Sequence, residues 1–406
     1  MTSSVNSPHA PLTPPMLWDV DYYKEQDLYF YLEEIEKVLP HGHVQVAGYG
    51  DMIMLGSYSY LGLIGHQAID RAAIEAIEQY GTGTHGVRLL AGTLTIHNEL
   101  EDRIARFKKA DGAITFSSGY VANLATISGL LRRGDIVICD KLNHASIVDG
   151  CLLSQANFRR FRHNDMEHLE KRLKEANGAN RVLVIVDAVF SMDGDVINLP
   201  EVSRLCDEYG AYLMVDEAHS IGVLGQTGHG IEEHFSLPPD AVDIKMGTLS
   251  KTIPSAGGYV AGGSELITFL KHEARGFVFS AALPPSSAAA ACAALDVIES
   301  EPERVRDLQR NYYHFGSALR RAGFDLLKSE TAILPVMCYD ITRAVMLARY
   351  CQQRGIFVQA VVAPVVPDGL SRLRATVSAA HRLEDLDYCV DILIEGAREI
   401  GGILNS

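Results

Sequence analysis

Apolar positions along the chain fall into two rhythms. From residue 112 onward, short runs rich in Val and Ile recur at 113–116, 136–139, 182–186, 212–215, 244–246 and 259–261, each separated from the next by the polar and apolar mixture of a helix. Continuous apolar runs of this length suit strands buried on both faces, and their alternation with helical lengths predicts βαβ units. The fold class read from this pattern is α/β, with a mostly parallel central sheet flanked by helices. A helical period marks residues 70–80, with apolar side chains at 73, 74, 77 and 80. The aromatic and apolar spacing over 16–45 (Tyr22, Tyr23, Leu28, Tyr29, Tyr31, Leu32, Ile35) predicts another helix. Asn164, three residues before Glu167, predicts a capping box that opens a helix running to Ala176. From about Ala288 a helix-rich segment leads into a smaller α+β region holding 332–338 and 372–377. The expected division is an N-terminal arm and segment at 1–58, whose first 15 residues are a Ser/Thr/Pro-rich disordered arm, a large domain at 59–290 and a small C-terminal domain at 291–406.

Composition narrows the function classes. The 406 residues carry a net charge of −15, so a general nucleic-acid binder, which needs a basic surface, is excluded. The N-terminus has no basic start followed by an apolar core, which argues against a secretory signal. The longest uncharged stretch, 276–295, is broken by Pro284-Pro285 and dominated by Ser and Ala, so no membrane span is expected. Seven dispersed cysteines without a Cys-x-x-Cys read as free thiols in a reducing cytoplasm. No metal site is expected.

One motif is rejected and three are kept. Gly81-Thr-Gly83-Thr-His-Gly86 has the spacing of a dinucleotide fingerprint, but a helix precedes it where a strand is required. Lys251, in Gly247-Thr248-Leu-Ser-Lys251 at the exit of a strand, suits Schiff-base chemistry. A solvated surface lysine would be the ordinary reading of it alone. Asp216 and His219, in Asp216-Glu-Ala-His219 at another strand end, suit a pyridinium nitrogen and a ring hydroxyl, the pair that pyridoxal phosphate (PLP) requires. Phe116-Ser-Ser118-Gly119-Tyr120 passes from strand to helix, where free amides bind a phosphate or Ser118 simply caps the helix. His144 is placed to stack on a cofactor ring, and Arg374 to clamp a carboxylate, with Arg372 its competitor.

The ordered set of these stretches, with Ser59-Tyr-Leu-Gly62, Arg88, Gly92-Thr93, His97-x-x-Leu-Glu101, Phe190-Ser191-Met-Asp-Gly194, Leu283-Pro-Pro285 and Ser378-Ala-Ala-His381, resembles the α-oxoamine synthase family over residues 45 to the C-terminus. The resemblance implies the fold of fold-type I PLP-dependent transferases and a homodimer with active sites shared between subunits. It implies that Lys251 holds the cofactor and moves the Cα proton, that Asp216 keeps the ring nitrogen protonated, and that His219 and Ser191 bind near the phenolic oxygen. His144 would stack on the ring. The amides of Gly119 and Tyr120, with Ser118 and Thr248, would hold the phosphate, and Ser280 would supply the neighbouring subunit's contact to it. Arg374 would grip the amino-acid carboxylate, with Ser59, Val87 and Arg88 also at the substrate. The implied reaction joins a small amino acid (serine, alanine or glycine) to an acyl thioester of coenzyme A or an acyl carrier protein, releasing CO2. A glycine C-acetyltransferase-type enzyme and a non-catalytic subunit of a heterodimer are the alternatives.

Overall fold

The computed structural model describes residues 20–404. The expected arm at 1–15 lies outside them. Instead of a helix over 16–45, the chain makes one short helix, Val20–Glu25, and then turns twice, with Asp27 at φ 54° and Leu32 at φ 67°. Left-handed backbone at non-glycine residues cannot continue a right-handed helix. Three strands follow, β1 (Ile35–Val38), β2 (His43–Val46) and β3 (Gly50–Met54), paired antiparallel in that order. Helix Gln67–Tyr80 covers the predicted helical stretch.

The central sheet has seven strands: β4 (Gly112–Phe116), β5 (Ile136–Asp140), β6 (Asn157–Phe161), β7 (Val182–Asp187), β8 (Tyr212–Asp216), β9 (Ile244–Ser250) and β10 (Pro254–Gly262). Their order is β4-β10-β9-β8-β7-β5-β6. Only β10 runs against its neighbours, pairing antiparallel with β4 and β9, while β9, β8, β7, β5 and β6 are parallel throughout. Every residue of β5 is buried and only the first residue of β7 and of β8 is not, which is why these strands read as unbroken apolar runs. Each ends in an aspartate, Asp140, Asp187 and Asp216, where the apolar core gives way to a cleft at the carboxyl edge.

The remaining strands, β11 (Ile333–Tyr339), β12 (Ile356–Phe357), β13 (Ala360–Val361) and β14 (Ser371–Thr376), belong to the C-terminal region. They contribute a three-stranded sheet, β11-β14-β13, and β12 joins β3 in parallel. The core behind them mixes Phe30, Ile53 and Leu55 with Phe315, Leu347, Leu373 and Leu393, so the N-terminal segment and the C-terminal region share one apolar interior. The helix predicted to open at Asn164 starts one residue later. Asp165 accepts the His168 amide as its cap, and Asn164, at φ 49°, instead donates its side-chain amide to Val196 O. Among the described residues no helix is long and apolar enough to cross a membrane.

Candidate active site

Strand ends and the helices after them converge on a cavity of about 250 Å³. It is lined by Ser118, Gly119 and Tyr120 after β4, His144 after β5, Ser191 after β7, Asp216 at the end of β8 and His219 after it, and Thr248 and Lys251 on and after β9. Lys251 Nζ lies 2.8 Å from His219 Nε2, and His219 Nδ1 lies 2.6 Å from the hydroxyl of the fully buried Tyr60. Burial lowers the Lys251 ammonium to about 8, against the opposing pull of Asp216, so the free amine is accessible near neutral pH. Burial, reinforced by Lys251 and Arg374, holds His219 well below the usual imidazole range and therefore neutral.

Asp216 is fixed from two sides. One carboxylate oxygen accepts the Asn123 side-chain amide at 2.7 Å and the other accepts the Ala218 backbone amide at 2.9 Å. Beside it, paired in register on β7, Asp187 is pushed well up by burial and by the Asp216 charge. Both causes favour the neutral form of Asp187, the carboxyl beside Asp216 at the cavity edge. Asp187 Oδ2 also accepts the His144 amide at 3.1 Å. The His144 ring meets Ser146 through Nδ1, 2.7 Å from the hydroxyl and 3.3 Å from the amide, with the latter donating. That leaves Nε2 to carry the proton of a neutral ring. Sequence reasoning passed over Asn123, Tyr60 and Asp187. Asn123 had a signal, the one side-chain amide in the largely apolar helix Gly119–Leu130, which buries it.

The two candidate arginines separate cleanly. Arg372 donates to the Asp193 carboxylate and to Met192 O at 3.0 Å. Arg374 donates to Ser191 O at 2.7 Å through Nε and to Thr376 Oγ1 at 2.8 Å through Nη1, while its buried Nη2 has no partner. An uncommitted guanidinium nitrogen next to the Ser191 loop is what a carboxylate clamp requires. Tyr58 lies between the two cations, its ring 4.8 Å from the Arg374 guanidinium and 5.6 Å from Lys251 Nζ. Ser59 is buried with an unpartnered hydroxyl and lines an adjoining cavity that also reaches Lys251.

Other expected site residues are placed differently. Arg88 is not free for a substrate, because its guanidinium donates to Glu101 at 2.8 Å, Thr93 at 3.1 Å and Asn98 at 3.2 Å. Burial makes that ion pair the only affordable state for either charge. Val87 forms a backbone bridge with Ala281, and Ser280 lines a narrow crevice with Arg88 behind the β4 turn. Within one chain neither lines the Lys251 cavity. The Ser118 hydroxyl accepts the Val121 amide and so caps its helix. The first amides, of Gly119 and Tyr120, are the ones that helix geometry leaves over for an anion.

These residues fit PLP on observations of the site itself. The cavity holds a helix N-terminus for a phosphate, an aspartate held at two points for a ring nitrogen, a neutral histidine on either hand and a buried amine. The phosphate end is also cleared of side chains, since a Cβ at Gly119 would stand 3.0 Å from Thr248 Oγ1 and one at Gly258 2.6 Å from Gly119.

Fold and site together define a PLP-dependent transferase of fold type I. The model for the family described as aminotransferase class I and II matches residues 50–393. The 8-amino-7-oxononanoate synthase of Geobacter sulfurreducens is 44% identical over 392 residues, covering 96% of this chain and 100% of that protein. The 8-amino-7-oxononanoate synthase 1 of Bacillus velezensis is 42% identical over 383 residues, covering 94% and 97%. Among solved structures, the serine palmitoyltransferase of Sphingomonas wittichii superposes with a TM-score of 0.91 at 33% identity, covering 94% of this chain and 96% of that one. The 8-amino-7-oxononanoate synthase of Francisella tularensis gives 0.74 at 26%, covering 86% and 98%. The chain belongs to the α-oxoamine synthase family.

Proposed function

We propose that this protein condenses a small amino acid (serine, alanine or glycine) with an acyl thioester, carried on coenzyme A or an acyl carrier protein, to give an α-aminoketone, CO2 and a free thiol. The coarser reaction, PLP-dependent decarboxylative condensation of an amino acid with an acyl thioester, follows from the family. The relatives' printed product, an 8-amino-7-oxo acid, carries an amine beside a ketone, as this chemistry would leave it.

One observation carries the reading: a depressed amine, Lys251, shares its surroundings with the free Arg374 Nη2 and the doubly held Asp216. Bound PLP supplies an electron sink for the pair left at Cα. Asp216 keeps the ring nitrogen's proton in place, and Asn123 keeps Asp216 aimed. Arg374 holds the amino-acid carboxylate against the Tyr58 face, which orients Cα toward Lys251. The Lys251 amine takes the Cα proton and returns it after CO2 departs. Neutral His144, with its Nε2 proton, donates to the oxygen on which charge develops when the thioester carbonyl is attacked. The test is carboxyl-labelled amino acid with and without thioester. The label should appear as CO2 only when the thioester is present. Label retained in the product would favour the acetyltransferase-type alternative.

The reading extends to assembly and place. Val87, Arg88 and Ser280 lie apart from Lys251 in one chain, which supports a homodimer whose sites draw on both subunits. Seven buried free thiols support a reducing, cytoplasmic setting. The division into a segment at 1–58, a cofactor domain at 59–290 and a small domain at 291–406 goes with it, the first and last tied together by the β3–β12 pairing.

A further inference from the structure

A second cavity of about 540 Å³ opens beside the first and shares Ser250 and Lys251 with it. One stretch of its wall is built from large apolar side chains, Ile35 of β1, Met54 of β3, Ile64 before the helix Gln67–Tyr80 and Phe357 of β12, and serines, Ser57 and Ser59 among them, line the rest beside Lys251. Ile35 and Ile64 are each 48% exposed, although both sit on a concave surface that a ligand could cover. Exposed large apolar side chains gathered in a cleft, rather than scattered singly, mark a surface that gains by being covered. The charges in the wall are few. Lys251 is its only cation, and the cofactor chemistry commits that amine, while Asp70, in the first turn of the helix, is its only carboxylate.

We infer that this cavity receives the acyl group of the thioester, and that it selects chains ending in a neutral alkyl group over chains ending in a carboxylate. The inference rests on the proposed condensation and deepens it. The shared edge at Lys251 places the carbonyl end of an acyl group at the amine where the new bond forms. The rest of the chain then runs along Ile64, Met54 and Phe357 toward Ile35. A methyl terminus gains by covering those side chains. A terminal carboxylate laid along that apolar stretch loses water, finds no cation beyond the committed Lys251 at the far edge, and meets Asp70 with like charge. The 8-amino-7-oxononanoate synthases among its relatives are named for a product that carries a carboxylate. The acyl group inferred for this chain therefore differs from the one that name implies.

The test uses the PLP-loaded full-length enzyme with octanoyl-CoA and pimeloyl-CoA, reading both aminoketone formation by mass and the change in cofactor absorbance on thioester binding. The expected result is a preference for octanoyl-CoA in kcat/KM of roughly tenfold or more. Asp70→Asn should narrow that ratio, and Ile64→Arg should narrow it further by offering the carboxylate a partner. Pimeloyl-CoA used as well as or better than octanoyl-CoA overturns the inference and leaves the condensation standing. An unchanged ratio in both variants overturns it as well. If neither thioester reacts or perturbs the cofactor spectrum, and no CO2 is released, the condensation reading falls and the inference falls with it.

Discussion

The chemistry of the site is concentrated in the amine of Lys251, and its environment makes a measurable demand. A lysine whose ammonium titrates at about 8 in the folded protein and at 10.5 when exposed disfavours folding as long as it is charged. The penalty is fully present below pH 8 and is relieved as the pH rises through 10.5. Lys251→Met should therefore stabilise the cofactor-free protein at neutral pH by on the order of 2 kcal/mol, with the gain vanishing at high pH. Chemical denaturation of both proteins across pH measures it, and an equal or lower stability for the variant at neutral pH contradicts the burial argument. Tyr60 makes a subtler demand. Its hydroxyl meets His219 Nδ1, so Tyr60→Phe leaves that ring free to change tautomer. The pH at which the bound cofactor's absorbance changes should move by roughly half a unit or more, and a titration curve that overlays the native one would remove Tyr60 from the site. Arg374 differs from Arg372 in having a nitrogen to spare. Arg374→Ala should raise the amino-acid KM by roughly a hundredfold. Arg372→Ala should lower the melting temperature first, since it strands Asp193, and calorimetry beside kinetics tells the two apart.

At the scale of elements, the site depends on a strand, a turn and a helix N-terminus meeting without intervening side chains. Gly119→Ala places a methyl 3.0 Å from Thr248 Oγ1 and 3.2 Å from Met246 Cε, inside the proposed phosphate cradle. PLP affinity should fall by about tenfold or more while the far-ultraviolet spectrum is retained, read by spectroscopic titration of the cofactor-free protein. Unchanged affinity would move the phosphate elsewhere. The central strands were legible because burial on both faces leaves an apolar run that polar helix faces interrupt, and all six predicted runs fall within β4, β5, β7, β8, β9 and β10. Edge strand β6, Asn-Phe-Arg-Arg-Phe, has only its last residue buried and left no such run. The segment 16–45 misled for a different reason. Its apolar residues answer to long-range partners: Phe30 fills the C-terminal core and the Tyr31 hydroxyl donates to Ala360 O. Periodicity within a segment carries no record of a strand 300 residues away. The same holds for Arg88. Its position in an ordered motif was visible, but that Glu101, in the same motif, neutralises it was not. His97, another member of that motif, also serves the scaffold, meeting the Leu94 amide through Nδ1 and Leu283 O through Nε2.

For the whole molecule, the net charge of −15 poses the question of how a protein so acidic gathers a phosphate, a carboxylate and a thioester. The answer in the structure is local. Helix amides at Gly119 and Tyr120 and the Lys251 amine line the cavity, the unpaired Arg374 nitrogen lies across the Tyr58 ring from Lys251, and burial pushes the Asp187 carboxyl well up, toward its neutral form. What one chain does not do is bring the Ser280 region to this cavity. A shared-site dimer resolves that separation and makes a quantitative statement. Lys251→Ala chains and Ser280→Glu chains are each expected to be inactive alone, the first for want of the amine and the second because a carboxylate faces the phosphate. If each site takes Lys251 from one subunit and Ser280 from the other, half of a random mixture is heterodimer, and each heterodimer carries one intact site and one doubly damaged site. Unfolding and refolding the two variants together should then restore about a quarter of native activity. Sites built within single chains would leave every site with one damaged residue, and the mixture would remain inactive at every ratio. Sedimentation of the same samples fixes the subunit count, so a monomer would be recognised directly rather than inferred from silence.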